Sequence, residues 1–126
     1  MSVLVDSSVW VDYLRGSSAA DDRLDWLIDE GLVVSNELIL AELLPPLILR
    51  KQAKLAALLR DLPTLPLAIN WPEIIDYQIA CLRSGINKVG IPDLIIAQNA
   101  RQHGVPLFTR DKHFHLLAKP VGLTLF

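Results

Sequence analysis

The start of the chain constrains the fold more than any other stretch. Residues 3–5, Val-Leu-Val, form an apolar run without alternation, and the acid Asp6 follows at once. Such a run is typical of a strand buried on both faces of a parallel sheet. Ser7 and Ser8 then begin a helical pattern that ends at Gly16. The sequence therefore predicts Asp6 at a strand-to-helix junction, where open α/β sheets bind ligands, although a simple helix cap explains Asp6 equally well.

Strand and helix patterns alternate along the rest of the chain. We expect strands at residues 3–5, 32–34, 65–67, 106–109 and 123–126. We expect a second helix opened by Ser17 and Ser18, and later helices at residues 37–44, 46–62, 72–83, 94–103 and 114–119. The prolines at 45 and 46 should end the third helix, because a residue before proline avoids the α conformation. This alternation predicts an α/β fold, a three-layer α/β/α sandwich around a parallel five-stranded sheet.

Composition limits the class of protein. A chain of 126 residues is long enough for a single domain, residues 1–126. The net charge of -2, from 12 basic and 14 acidic residues, argues against nucleic-acid binding by bulk charge alone. A hydrophobic fraction of 52% is high, so we expect apolar surface that contacts a partner in an oligomer.

The single cysteine and the apolar segments indicate the compartment. Cys81 has no second cysteine with which to form an intrachain disulfide, which favours a reducing compartment. We identify no signal peptide, and the longest apolar region, residues 38–49, is interrupted by Glu42 and two prolines. We expect a cytoplasmic protein without a membrane segment.

Three further acids stand out by their surroundings. Glu42 is the only ionisable residue between positions 38 and 49, so it either occupies the one wet stripe of its helix or points into a polar cleft, which we favour. Asp93 opens a helix and Asp111 follows the fourth strand, where an N-cap and a turn aspartate are ordinary explanations. If the strands are ordered 3-2-1-4-5, however, all three acids can reach the switch point beside Asp6.

Clustered carboxylates need a counter-charge. Two unit charges ~4 Å apart repel by about 4 kcal/mol at an effective dielectric constant of 20, and a divalent cation removes that repulsion. An all-oxygen site without cysteine suits Mg²⁺ or Mn²⁺ rather than Zn²⁺. Such a site holds a phosphodiester by its oxygens and activates water for in-line attack. The pattern predicts metal-dependent phosphodiester cleavage.

Four segments resemble, in order and spacing, the signature segments of PIN-domain ribonucleases, above all the small VapC-type toxins of toxin-antitoxin pairs. The segments are residues 5–14, 39–44, 91–97 and 109–114. The resemblance implies a PIN-like fold with metal-binding catalytic acids at Asp6, Glu42, Asp93 and Asp111. It also implies that hydroxyls support the metal or its water, the candidates being Ser7, Ser8 and Thr109. RNA as substrate, a cognate antitoxin and a homodimer follow from the same resemblance.

The chain departs from that pattern at two positions. Many relatives carry a further acid two residues after the one matching Asp111, where this chain has His113, and a threonine is commoner at Ser7. His113 and His115 form an H-x-H pair without a third nitrogen or sulfur ligand nearby, so we do not expect a transition-metal site there.

Other residues are candidates for binding partners. Arg110 and Lys112 flank the expected site and could hold phosphates on either side of the scissile bond. Four apolar residues either contact a partner or pack in the core, and the sequence favours neither role: Leu47, Ile48, Leu55 and Leu59.

Two other classes of protein share parts of this pattern. A phosphatase of the haloacid dehalogenase type needs a second aspartate two residues after the first, and that position is Ser8. The alternative from a different class is a non-catalytic interaction module whose acids only cap helices. A requirement for Mg²⁺ or Mn²⁺ in cleavage separates the two.

Overall fold

The computed structural model describes residues 1–16 and 18–126, with the backbone alone for residues 18–21. The described elements are β1 (Val3–Val5), α1 (Ser7–Leu14), α2 (Ser18–Asp29), β2 (Val33–Val34), α3 (Glu37–Leu49), α4 (Ala53–Asp61), α5 (Trp71–Arg83), α6 (Ile91–Gln102), β3 (Leu107–Phe108) and α7 (Lys112–Val121). The expected start of the second helix at Ser17 lies outside the described residues. The order of elements confirms an α/β fold.

The sheet is parallel, with the first strand at its centre. β1 pairs with β2 in the register Val3↔Val33 and with β3 in the register Leu4↔Leu107, which gives the order β2-β1-β3. All three residues of β1 are fully buried, as an apolar run without alternation predicts. The carboxyl end of β1 therefore opens at the middle of the sheet, where Asp6 follows.

The prediction of five strands is wrong. Within the described residues the two expected outer strands form only isolated parallel bridges, Ser35↔Thr64 and Leu107↔Leu125, on the two sides where the order 3-2-1-4-5 places them. Beside β2, the carbonyl of Pro63 accepts a hydrogen bond from the backbone N–H of Ser35 (3.0 Å), but Pro63 has no N–H with which to extend that ladder. The apolar pattern located both segments, and Pro63 limits the pairing beside β2 to one bridge.

Helix α3 also differs from the prediction, because it continues through Pro45 and Pro46 to Leu49. The residues on its inner face, Ile39, Leu43 and Leu47, recur every four positions and are all buried. Burial of that stripe favours a continuous helix across the prolines, although each proline removes a backbone donor. The helix ends at Leu49, and Lys51, two residues later, has a left-handed φ of 57°.

The start of α3 is tied to α6. Asn36 accepts a hydrogen bond from the backbone N–H of Ile39 (2.8 Å), so it is the N-cap of α3. The Asn36 amide also donates to Oδ1 of Asn99 (3.0 Å), a buried residue of α6. This bond joins the two helices that carry Glu42 and Asp93.

In the part of the chain that the structure describes, no helix is long and apolar enough to span a membrane. The core instead packs the helices around β1, and its largest fully buried side chains include Trp10, Phe108 and Phe114.

Candidate metal centre

Asp6 lies at the carboxyl end of β1 and only 4% of its surface is exposed. It occupies the N-cap position of α1, yet its side chain makes no capping hydrogen bond. Its Oδ2 instead accepts hydrogen bonds from the hydroxyls of Ser8 (2.7 Å) and Thr109 (3.0 Å). The helix-cap explanation therefore does not describe what this carboxylate contacts.

Two hydroxyl groups join the end of β3 to the beginning of α1. Ser8 Oγ accepts a hydrogen bond from the backbone N–H of Arg110 (2.9 Å), and Thr109 Oγ1 accepts one from that of Asp111 (3.0 Å). Both hydroxyls also donate to Asp6, so they fix the position of the loop that carries Asp111. Among the described residues, nothing forms a hydrogen bond with the side chain of Ser7.

Asp93 occupies the third position of α6 rather than its N-cap, which is Gly90. The helix begins at Ile91, three residues before the predicted start, because Pro92 is favourable in the first turn. The Asp93 carboxylate accepts a hydrogen bond from the Gly90 backbone, a contact that lowers its pKa.

Asp111 is the N-cap of α7 and accepts a hydrogen bond from the backbone N–H of His113 (2.9 Å). The same oxygen lies 3.2 Å from Nδ1 of the His113 ring. One ligand atom from each of Asp93, Asp111 and His113 lies within 4.8 Å of the others. Asp111 is thus a helix cap and, at the same time, a member of a group that could hold a metal ion.

Glu42 lies in the middle of α3 and is exposed, which fits the wet-stripe interpretation, yet neighbouring protein removes part of the water around its carboxylate. Partial burial raises the pKa of Glu42 most, and the negative charges of Asp6 and Asp93 raise it further. Its carboxylate is therefore within electrostatic reach of the other acids.

Besides burial, the pKa of Asp93 depends on the charges of two other acids, Asp111 and Asp6. Burial raises the pKa of Asp93 first, the charges of Asp111 and Asp6 raise it further, and His113 and the Gly90 backbone partly offset the increase. The four acids chosen from the sequence therefore share one electrostatic environment. In the described part of the chain, Asp6 and Glu42 do not join the group within 4.8 Å.

The donor set fits a hard divalent cation. Carboxylate oxygens dominate, the central residues are half-buried, and the one cysteine, Cys81, is buried in the hydrophobic core. Mutual repulsion between carboxylates is the condition that a divalent ion relieves. Asp93 and Asp111 could bind such an ion directly, with Asp6 and Glu42 close by.

The basic and histidine candidates lie at different distances from the acidic group. Arg110 and Lys112 are exposed on either side of Asp111. Lys112 and His113 also line a cavity of about 430 Å³ beside the loop before α6, which contributes Lys88, a residue that the sequence did not single out. His115 is exposed and outside the acidic group within the described residues.

The four apolar candidates for partner contact divide into two kinds. Leu47 and Leu59 belong to the core, as the alternative explanation predicted, whereas Ile48 is 51% exposed and Leu55 is half-buried.

The sequence analysis did not place His113 in the site. The feature that could have indicated it is its position two residues after Asp111, the N-cap aspartate of α7.

Comparison with known proteins agrees with this architecture. The family described as the PIN domain matches residues 3–120. VapC ribonuclease Mb1587 of Mycobacterium bovis is 32% identical over 131 aligned positions, covering 96% of this chain and 95% of the relative. Ribonuclease VapC11 of Mycobacterium tuberculosis has the same identity and coverage.

Solved structures share the fold. The crystal structure of VapBC2 from Rickettsia felis, bound to a DNA fragment from the VapBC2 promoter, aligns with a TM-score of 0.76 at 19% identity. The alignment covers 100% of this chain and 98% of the VapBC2 chain. FitAcB from Neisseria gonorrhoeae aligns with a TM-score of 0.72 at 21% identity, covering 98% and 96%. The family match over most of the sequence and the relatives at 32% identity establish that this chain belongs to the PIN domain family.

Proposed function

We propose that this chain is a metal-dependent endoribonuclease and the toxin of a VapBC-type toxin-antitoxin pair. The observation that carries the proposal is the convergence of four acids from separate parts of the chain: besides burial, the charges of Asp6 and Asp93 raise the pKa of Glu42, and those of Asp111 and Asp6 raise the pKa of Asp93. The two VapC ribonucleases that match nearly the whole chain support RNA as the substrate.

In this proposal the acids bind Mg²⁺ or Mn²⁺. A bound divalent ion would polarise a phosphodiester oxygen and provide a water molecule of lowered pKa as nucleophile. Asp93 and Asp111 would hold the ion, and Ser8 and Thr109 keep Asp6 in place by hydrogen bonds. Glu42, whose pKa burial and neighbouring charges raise, is suited to exchange a proton with water near the ion.

Basic groups beside the acids support a path for RNA. Lys112, Lys88 and His113 line the cavity beside the acidic group, and Arg110 is exposed on the other side of Asp111. Phosphates are recognised mainly by such cationic side chains. We propose that Arg110 and Lys112 hold phosphates that flank the scissile bond.

The partners of the proposed toxin are a cognate antitoxin and a second copy of the chain. The similarity to VapC ribonucleases supports the proposal of a cognate antitoxin. A homodimer is supported by an apolar stripe on the outer face of α5, where Trp71, Ile75, Ile79 and Leu82 are 42–60% exposed. We call these four residues the α5 stripe.

The alternative, an interaction module with structural acids, predicts that each carboxylate caps a helix. Asp111 does so, but Asp6 makes no capping bond and Glu42 lies inside α3. The contacts of the acids thus favour the enzyme.

The substitution Asp6→Asn tests the proposal. The asparagine side-chain oxygen can still accept from Ser8 and Thr109, so the fold should remain while cleavage of total RNA with Mg²⁺ or Mn²⁺ falls by at least about 100-fold. Asp76→Asn, an exposed acid on α5, is the matched control and should cleave as wild type does. Equal cleavage by Asp6→Asn and wild type, or wild-type cleavage that persists in EDTA, would contradict the proposal.

A further inference from the structure

His113 is fixed against the acidic group by two contacts with one carboxylate. Its backbone N–H donates to Asp111 Oδ1 (2.9 Å), and Nδ1 of its ring lies 3.2 Å from the same oxygen. About a third of each side chain is exposed, 34% for His113 and 35% for Asp111. Because both residues stand at the start of α7, the cap that orients Asp111 also orients the imidazole.

The separations in this group resemble those of atoms that share one ion. Two ligands about 2.1 Å from an octahedral ion lie about 3.0 Å apart when adjacent and about 4.2 Å apart when opposite. The His113 nitrogen and Asp111 oxygen are 3.2 Å apart, and all three ligand atoms, including that of Asp93, lie within 4.8 Å of one another. An ion could therefore contact the ring nitrogen after only small side-chain movements.

We propose that His113 is a direct ligand of the metal ion and that its nitrogen makes the site prefer Mn²⁺ to Mg²⁺. This inference rests on the metal centre of the proposed function and adds the identity of a ligand and of the preferred ion. Mg²⁺ favours oxygen donors almost exclusively, whereas imidazole strengthens binding of first-row transition ions. A mixed set of carboxylates and one imidazole thus favours Mn²⁺ over Mg²⁺.

A different role for the same residue makes a different prediction. If Nδ1 carries a proton and only donates to Asp111, His113 orients the carboxylate and never contacts the ion. The wild-type protein would then bind Mn²⁺ through oxygen alone, so the two roles differ in whether a nitrogen is bonded to the metal.

The chain offers two matched variants. His113→Asp replaces the nitrogen donor by an oxygen donor at the same position, so it should still bind a divalent ion. His115→Asn changes an exposed histidine two residues further along α7. Side chains two residues apart on a helix point to different faces, so His115 does not lie beside His113. The first variant tests the ligand and the second controls for the loss of a nearby histidine.

Pulsed electron paramagnetic resonance of bound Mn²⁺ tests the inference directly, using the full chain without a histidine tag. Wild type and His115→Asn should show the ¹⁴N coupling of a directly bonded imidazole, and His113→Asp should show none. In a competition of Mg²⁺ against bound Mn²⁺, the preference for Mn²⁺ should fall by about tenfold or more in His113→Asp, since even groups that only support ligands change metal affinity by about 10- to 100-fold.

The outcomes separate this inference from the proposed function. If wild type binds Mn²⁺ without nitrogen coupling, or if His113→Asp keeps the same preference for Mn²⁺, His113 is not a ligand and the carboxylate centre stands. If wild type binds no Mn²⁺ at millimolar concentration, the metal centre itself is wrong and the inference falls with it.

Discussion

The position of the Asp6 side chain depends on two hydroxyl groups, those of Ser8 and Thr109. Both donate to Oδ2, and no residue that the structure describes donates a hydrogen bond to Oδ1. Each hydroxyl also accepts a backbone N–H from the loop after β3, which leaves it little freedom to rotate. A carboxylate held in this way has one oxygen available for a ligand without first breaking a hydrogen bond.

Asp93 provides a prediction about pH. Because burial and nearby carboxylates raise its pKa in the folded state, the folded protein binds this proton more tightly than the unfolded chain. The contribution of Asp93 to stability is therefore complete below the ordinary pKa of an aspartate and is lost as the pH rises through the raised value. In EDTA at neutral pH, Asp93→Asn should be more stable than wild type, and the difference should disappear at low pH.

Urea denaturation of both proteins at a series of pH values measures this difference. Asparagine can still accept the hydrogen bond from Gly90, so the start of α6 should not be disturbed. Lower stability of Asp93→Asn at every pH would show that Asp93 stabilises the helix instead.

For individual residues, the sequence predicted the four acids of the candidate metal centre, because each lies within or directly beside an apolar segment. It did not predict the place of His113, since the direction of that ring depends on how Asp111 caps α7. The spacing of residues along the chain contains no information about that rotation.

In α3, burial of an apolar stripe outweighs the unfavourable effect of two prolines on the helix. The prediction of a break at the prolines used the backbone alone, whereas the buried stripe of Ile39, Leu43 and Leu47 extends across them. The same limit applies to the sheet, where the apolar pattern identified five segments but two of them form only single bridges, one of them beside Pro63, which has no backbone N–H to donate to β2.

Substituting Pro45→Ala measures what the prolines cost α3. Alanine restores a backbone donor inside the helix, worth up to about 3 kcal/mol, and loses about 0.4–1 kcal/mol through a freer unfolded chain. We expect a net gain of about 1–2 kcal/mol in the free energy of unfolding, measured in urea. Pro72→Ala is the control, because Pro72 lies in the first turn of α5 and should give no gain. A loss of stability in Pro45→Ala would mean that the helix requires its proline.

For the whole molecule, composition predicted exposed apolar surface, and the structure shows such surface on α5. The α5 stripe is exposed while the opposite face of the same helix, with Ile74, Tyr77 and Cys81, is buried. The sequence alone did not separate these faces, because α5 is apolar on both of them.

Replacing one residue of the α5 stripe tests the proposed homodimer. Leu82→Lys places a charge in the stripe and should convert the dimer to a monomer in sedimentation at micromolar concentration, because a buried unpaired charge is costly. Leu49→Lys makes the same change on α3, where Leu49 is 83% exposed, and should remain dimeric. A dimer that persists in Leu82→Lys would exclude this face.

The central claim, that the four acids form a metal centre, is tested most directly by thermal unfolding of the metal-free protein as Mn²⁺ is added. The Tm of wild type should rise with Mn²⁺ concentration, because an ion at 100 times its Kd stabilises the folded state by about 2.7 kcal/mol. Asp111→Asn can still cap α7, since asparagine is a favourable N-cap, so it should keep its metal-free Tm and lose most of the rise. A wild-type Tm that stays constant up to millimolar Mn²⁺ would contradict the metal centre.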